Sequence, residues 1–204
     1  MMDTKEKGRA LACHLRSLPD FVLVPGTVYD HMGAILVDAL LQAGTNYDGV
    51  RARAKLVLGH PEARTTSGFL GLLAKTPIHS LLQWKGRKPL WVQGAADFFQ
   101  KEGVETKQDL KQWLEKAGNA QRLFTLSGIN AKTADYLKKL AGIPNTAMDR
   151  HWYTCLDAAG IPFEGYDEAK RIADCAAEEM NVDKSVLDTS VWRYERSTKQ
   201  QGRC

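Results

Sequence analysis

The sequence predicts an all-α protein. Apolar residues recur at helical spacing in one segment after another, glycine and proline separate the segments, and no convincing alternation of period two predicts a strand. In the opening helix, for example, Leu11, Leu15 and Leu18 form one apolar face, and a turn at residues 24–26 follows it. The 204 residues suit one large domain or two small lobes.

Ten further helices are expected along the chain. Residues 29–43 form a long apolar run, which favours a central buried helix that Gly44 ends. The other nine are expected at residues 50–58, 67–74, 78–84, 90–101, 107–116, 131–140, 150–159, 167–180 and 185–196. The polar segment 198–204 is expected to be a flexible tail.

Charge and cysteine content narrow the function classes only a little. A net charge of +4 is mildly basic and weakly favours a polyanionic partner. The four cysteines form no CxxC pair and no zinc or iron–sulfur spacing, so we expect reduced thiols and no metal site. No signal peptide and no bilayer-spanning segment is visible, so the expected location is cytoplasmic, without a membrane partner.

The most informative stretch is Leu126-Ser127-Gly128-Ile129-Asn130-Ala131-Lys132-Thr133-Ala134-Asp135-Tyr136. It predicts two helices around a tight turn at residues 127–130, because glycine and asparagine tolerate left-handed backbone angles. Such a hairpin exposes backbone N–H groups at the start of its second helix, where a DNA phosphate can bind. A bare turn between helices, with no ligand, is the alternative that this pattern leaves open.

Two charged residues near this stretch are candidates for catalysis. Lys132 lies in the first turn of the second helix, where the helix dipole disfavours a cation. It is either a tolerated surface charge or an amine kept in its neutral, nucleophilic form. Asp149 begins another helix, either as a plain N-cap or as a carboxylate that acts as a base and stabilises a developing cation.

The order of hairpin, lysine, glycine–proline link and Asp-x-His resembles the signature of the helix-hairpin-helix DNA glycosylases, the superfamily of endonuclease III and the 8-oxoguanine glycosylases. Residues 126–135 are similar to the family pattern Leu-Pro-Gly-Val-Gly-x-Lys-x-Ala, and residues 148–152 to its Val-Asp-x-His block. The resemblance is strongest over residues 121–159. Ser127 replaces the family's proline and Asn130 its second glycine, and the iron–sulfur cysteines of endonuclease III are absent.

The resemblance implies a fold of two helical lobes with the helix-hairpin-helix motif at an active-site cleft. One lobe is expected to be a helical bundle at residues 33–124. The other is expected to combine residues 1–32 with 125–197 and to contain the hairpin at 121–141.

The resemblance also implies an activity. The chain is expected to act as a monomer on double-stranded DNA, flipping out a damaged or modified base and excising it. Lys132 would attack the sugar and form a Schiff base that permits strand cleavage, and Asp149 would assist. The backbone at Gly128, Ile129, Asn130 and Ala131 would grip the phosphate. No redox cofactor or iron–sulfur cluster is needed, although the family hairpin often binds a monovalent cation through its carbonyls.

Other candidate site residues rest on weaker patterns. Tyr136, four residues after Lys132, either borders the base pocket or is a core tyrosine with a satisfied hydroxyl. Gln42, Asn46 and Tyr47 are candidates for filling the gap left by the flipped base, or they form an ordinary polar helix end.

One segment outside the hairpin is also typical of nucleic-acid contact. The loop at residues 84–91 places three basic residues between two tryptophans. A solvated loop with both indoles in the core is its alternative.

Two other functions remain open. The chain could be a phage-type enzyme that modifies thymine bases in DNA, or a DNA-binding module without glycosylase chemistry. The sequence identifies neither the target base nor whether the context is repair or modification.

Overall fold

The computed structural model describes the backbone of residues 2–201 and the side chains of residues 2–198, and within them it confirms the all-α class, with no β-strand. The helices are α1 (Thr4–Ser17), α2 (Met32–Leu41), α3 (Tyr47–Leu58), α4 (Thr66–Lys75), α5 (Ile78–Leu81), α6 (Lys88–Lys101), α7 (Lys107–Glu115), α8 (Asn119–Arg122), α9 (Ala131–Leu140), α10 (Arg150–Ala158), α11 (Gly165–Met180) and α12 (Lys184–Gln201). Among the described residues, no helix is both long enough and apolar enough to cross a bilayer.

Each predicted helix is present, and local capping explains several of the boundaries. Asp3 and Thr106 begin α1 and α7 with reciprocal capping boxes, in which the cap side chain and the third helical residue satisfy each other's backbone N–H groups. The 3-10 turn Pro61–Arg64 was not expected from the sequence, and the helix expected before the hairpin turn is formed only by the short α8 and the 3-10 turn Leu123–Thr125. The predicted tail differs as well, since α12 continues to Gln201, and residues 202–204 lie outside the described part.

The chain divides into two compact units, of which the first comprises residues 28–143. Helix α2 is its centre, because every residue of α2 is buried and α3, α4, α6 and α9 all pack against it. Large side chains from the surrounding helices, such as Phe69 and Phe99, complete this core. Burying each large apolar side chain is worth about 1.5–3 kcal/mol, so α2 organises the helices around it.

The second unit comprises residues 2–27 together with 144–201. Helix α1 packs along α11, and both α10 and α11 contact α12. Buried apolar side chains of these helices form one core. The approach of α1 to α11 is close, since a Cβ added at Gly8 would lie 2.4 Å from the Cβ of Cys175. Trp152 of α10 is fully buried in the same core.

The boundary between the units differs from the one that the sequence predicts. The sequence analysis groups the hairpin with the terminal segments, whereas the structure includes it in the 28–143 unit, and the N-terminal segment of the other unit ends at Thr27. The physical reason is that Ala134, Leu137 and Leu140 of α9 join the core around α2. Periodicity shows that α9 has an apolar face, but not which helix that face meets.

Candidate active site

The tight turn of the hairpin is present and is shaped by Gly128. The N–H of Ile129 donates to the carbonyl of Leu126 over 3.3 Å, and Gly128 between them has φ +84°. A positive φ at the third residue of a four-residue turn is what a type II turn requires. The side chain of Ile129 is buried in the core while Ser127 is exposed, so the turn is anchored inward and presents its backbone outward.

Gly128 is also required because Trp91 of α6 lies against it. A Cβ at Gly128 would lie 2.3 Å from Cε3 and 2.6 Å from Cδ2 of the Trp91 indole. Nothing in the local sequence indicates this contact, since 37 residues separate the two positions. The Trp91 indole therefore packs against the turn and supports its conformation.

Asn130 acts differently from the expectation. Its backbone is extended, with φ −123° and ψ −177°, not left-handed. Its side-chain oxygen accepts from the backbone N–H of Thr133 over 3.0 Å and from the Thr133 hydroxyl over 3.2 Å. Asn130 is thus the N-cap of α9, which explains how the chain forms this hairpin without a second glycine.

Lys132 occupies the second position of α9 and is half-buried. The first N–H groups of a helix have no carbonyl partner within it, and here the Asn130 side chain takes that of Thr133. Ala131 and Asn130 are exposed, so an anion can approach the helix terminus beside Lys132. A monovalent cation at the hairpin stays a prediction, with which the Leu126 carbonyl is compatible because it keeps a second lone pair beside its bond to Ile129.

A buried polar cluster lies in the same unit, around Asp38 of α2. The Tyr29 hydroxyl donates to Asp38 Oδ2 over 2.8 Å. Gln42 Nε2 and the Tyr136 hydroxyl donate to Asp38 Oδ1 over 3.0 and 3.4 Å. Asp38 is fully buried, so the cluster joins α2 to α9 through the interior.

The electrostatics of this cluster keep its phenols protonated. Burial raises the pKa of the Asp38 carboxyl above its usual range, and the hydrogen bonds from Gln42, Tyr29 and Tyr136 oppose that rise. Burial, followed by the negative charge of Asp38, raises the pKa of both tyrosines. The phenols therefore act as hydrogen-bond donors throughout the ordinary pH range.

These contacts bear on the interpretation of Tyr136. Its ring is half-buried against the core and its hydroxyl has a partner, as expected for a core tyrosine. That Tyr136 borders a base pocket remains a prediction. The sequence analysis did not single out Asp38, although a carboxylate in the middle of an apolar helix is a usable indication of a buried polar cluster.

The loop after α2 contains the three candidates for filling the gap in DNA. Gln42 is the C-cap residue of α2, and its amide is turned inward to Asp38. Asn46 is exposed and caps α3, with its side chain accepting from the N–H of Asp48 over 3.1 Å. Tyr47 is the half-buried first residue of α3. That these residues fill the gap left by a flipped base stays a prediction, and it suits Asn46 and Tyr47 better than Gln42.

Lys88, one of the three cations of the basic loop at residues 84–91, holds the loop between α2 and α3 in place. Its ammonium donates to the carbonyl of Leu41 over 3.2 Å, and to the Ala43 carbonyl and the Thr45 hydroxyl. It also lies 5.6 Å from the ring centroid of Trp84. Burial lowers the pKa of Lys88. One of the three cations in the basic loop is therefore structural, whereas Lys85 and Arg87 are exposed.

Asp149 belongs to the unit formed by residues 2–27 and 144–201. It is the N-cap of α10, with extended backbone, and its Oδ1 accepts from the N–H of His151 over 2.8 Å. The carboxylate is half-buried. The capping interpretation is thus confirmed at the level of local structure, and the catalytic role stays a prediction.

The segment that leads into Asp149 is held by buried polar contacts that the sequence did not indicate. Asp188 of α12 accepts from the indole N–H of Trp152 over 2.7 Å and from the N–H of Ala147 over 3.3 Å. Lys170 of α11 donates to Asn145 Oδ1 over 2.7 Å. These contacts fix the backbone just before Asp149, and with it the position of the carboxylate within its unit.

Metal-ligating side chains are dispersed. Among the described residues, no group of three or more histidine, cysteine or acidic side chains is placed to hold a metal ion. Cys13 is exposed, Cys155 is buried and Cys175 is half-buried. Cys204 lies outside the described residues.

Comparison with known proteins places the fold. No protein-family model matches the chain, and the search of curated proteins gave no match. Among solved structures, the crystal structure of H. pylori 3-methyladenine DNA glycosylase (MagIII) bound to 1,N6-ethenoadenine matches with a TM-score of 0.62 and 18% identity, over 98% of this chain and 99% of that chain. The chain therefore shares the all-helical fold of this glycosylase.

Proposed function

We propose that this protein is a DNA glycosylase that flips a damaged or modified base out of double-stranded DNA and excises it. The observation that carries the proposal is the hairpin. A turn shaped by Gly128 leads into α9, the N-terminus of α9 is accessible, and Lys132 lies in its first turn. The fold shared with a DNA glycosylase supports this use of the hairpin.

The hairpin backbone binds a phosphate of the strand that carries the target base. The N–H groups of Gly128, Asn130 and Ala131 supply the donors, since that of Ile129 is bonded to the Leu126 carbonyl, and the positive end of the α9 dipole adds attraction. This contact carries no sequence information, because the backbone of DNA is the same at every position. Selection of the base therefore belongs to the pocket that receives it.

Lys132 is the nucleophile in this proposal. Its Nζ forms a bond to the sugar C1′ as the glycosidic bond breaks, and the base leaves with the bonding electrons. The C1′–O4′ bond of the sugar ring then opens, and O4′ takes up a proton that Nζ loses, which gives a Schiff base. β-Elimination of the 3′-phosphate from this Schiff base cleaves the strand and gives lyase activity. The Asp149 carboxylate assists the attack and stabilises the positive charge that develops on the sugar.

The solved neighbour suggests which substrates to test first. That protein is a 3-methyladenine DNA glycosylase bound to 1,N6-ethenoadenine, and both bases are modified adenines. We propose a modified base as the target and the monomer as the active species. Tyr136, held by its hydrogen bond to Asp38, is the proposed aromatic wall of the base pocket.

Borohydride trapping on a panel of duplexes, each with one modified base, tests the proposal. The wild-type protein should give a covalent adduct on its substrate, and Lys132→Gln should give none while still binding the duplex. Lys138→Gln is the matched control, because Lys138 lies on the same helix and is ion-paired with Asp135 at 3.2 Å. It should trap as the wild type does.

The other outcomes of this assay separate the alternatives. Base release without an adduct contradicts the lysine nucleophile and indicates water activated through Asp149. Duplex binding with neither release nor adduct contradicts the glycosylase and indicates a DNA-binding module. A covalently altered thymine in the recovered DNA indicates a base-modifying enzyme instead.

A further inference from the structure

A groove lies between α6 and the segment that enters the hairpin. Its volume is about 500 Å³, and its lining includes Arg87, Leu90, Trp91, Leu126 and Ser127. All of these residues belong to the 28–143 unit. Since Ser127 is also part of the hairpin turn, the groove is continuous with the proposed phosphate site.

The walls of the groove are apolar and partly exposed. Leu90 is 54% exposed, so its side chain is accessible to a ligand in the groove. The Trp91 indole is half-buried and held against Gly128, so its position is fixed. Gly94 leaves the groove open, since a Cβ there would have no atom within 4 Å.

The polar part of the groove is cationic. Arg87 stands at the N-terminus of α6 and is exposed, and the hydroxyl-bearing residues Thr125 and Ser127 line the opposite side. Among the described residues, none of those that line the groove is acidic. A guanidinium, hydroxyls and an indole together suit a phosphate joined to a flat ring, which is the chemistry of a nucleotide.

We propose that this groove is a second nucleic-acid subsite, which holds one unpaired nucleotide of the strand that the hairpin grips. Arg87 contacts its phosphate, and Trp91, Leu90 and Leu126 contact its base and sugar. The volume of the groove suits a nucleotide, because pockets of about 300–1,000 Å³ are typical of small-ligand sites. A protein partner would instead need an interface that buries more than about 1,000 Å² of surface. The assignment of the strand rests on the proposed function.

The test uses the full chain and an eight-residue oligothymidylate as the probe. Arg87→Ala should weaken binding of the probe about tenfold, as expected for loss of one charge-assisted contact. It should also reduce the slope of log affinity against log salt by about 0.7, the value for one phosphate contact on a single strand. Lys101→Ala, an exposed cation at the other end of α6, is the matched control and should change neither quantity.

A second measurement does not depend on the affinity of a variant. The same oligonucleotide with 5-iodouracil at one position should photo-crosslink to a peptide containing Trp91. Equal affinities of Arg87→Ala and Lys101→Ala, or crosslinks that map only elsewhere, overturn the proposal. So does a dimer that Leu90→Glu breaks without altering oligonucleotide binding, which would make the groove a surface for a second copy.

A separate assay of base excision by the wild type distinguishes a failure of the groove proposal from a failure of the proposed function. Excision together with unchanged probe binding by Arg87→Ala overturns the groove and leaves the glycosylase. Weakened probe binding without excision of any base supports the groove and overturns the glycosylase.

Discussion

The contact between Gly128 and Trp91 makes the hairpin turn sensitive to a single methyl group. Gly128→Ala introduces a Cβ at a position where φ is +84°, and places it 2.3 Å from the Trp91 indole. The left-handed backbone costs a non-glycine residue roughly 1–2 kcal/mol. Displacing the indole should cost roughly 1–3 kcal/mol more, the usual range for overpacking a fixed site.

Gly118 provides a control with nearly the same φ. Its φ is +85°, and a Cβ added there would have no atom within 4 Å. Gly118→Ala should therefore show the backbone cost alone. At about 2–4 °C per kcal/mol for a protein of this size, the melting temperature should fall by roughly 2–8 °C for Gly118→Ala and by roughly 4–20 °C for Gly128→Ala.

Calorimetry or circular dichroism on the two variants and on Gly128→Ala/Trp91→Ala measures these effects. The double variant should recover part of the loss relative to the sum of the single variants, because removing the indole removes the clash. Equal losses for Gly118→Ala and Gly128→Ala, or strict additivity with Trp91→Ala, would refute the conclusion that the indole supports the turn. A steric origin also means that Gly128 variants report on folding as well as on phosphate binding.

Three further variants test other parts of the site. Asp149→Asn keeps a good N-cap for the His151 N–H and should lower kcat roughly 10²–10⁴-fold with an unchanged melting temperature, whereas Asp149→Ala should also lose about 1 kcal/mol of stability; a wild-type kcat for Asp149→Asn, with a melting loss in Asp149→Ala only, would support capping alone. Burial raises the pKa of Asp38, so the wild type should lose stability as pH rises from about 4 through that raised pKa, while Asp38→Asn should not; a difference in melting temperature that stays constant with pH would contradict this. Lys88→Met should accelerate hydrogen exchange at residues 41–46, and Lys85→Met should not, because the Lys88 ammonium donates to that loop and Lys85 is an exposed cation of the same basic loop; equal exchange in both variants would show that the loop is stable without Lys88.

The helices and the hairpin could be predicted because local chemistry specifies them. Periodic apolar residues define α9, glycine specifies the turn before it, and the amide of Asn130 caps its first turn within three residues of sequence. Even so, Gly128 and Asn130 were both expected as residues that tolerate left-handed backbone angles, and only Gly128 adopts one. Asparagine serves equally well in a left-handed turn and as an N-cap, and the sequence pattern does not separate these uses.

The remaining features depend on contacts between distant segments. Asp38 looked like one polar residue in an apolar helix, and its partners Tyr29 and Tyr136 come from segments that only the folded chain brings together. Trp91 is likewise a plausible core residue of α6 until the turn is seen to rest on it. The unit to which α9 belongs follows from packing on α2, which no local pattern encodes.

The most direct test of the central claim is the release of a free base from DNA. A duplex with a single 1,N6-ethenoadenine or 3-methyladenine, together with a wider set of modified bases, is incubated with the wild-type protein and with Lys132→Gln, and the freed base is identified by mass spectrometry. The proposed function predicts that the wild type releases at least one modified base from the set, while Lys132→Gln binds the same duplex and releases none. Release of no base by a folded wild-type protein that binds the duplex would contradict it.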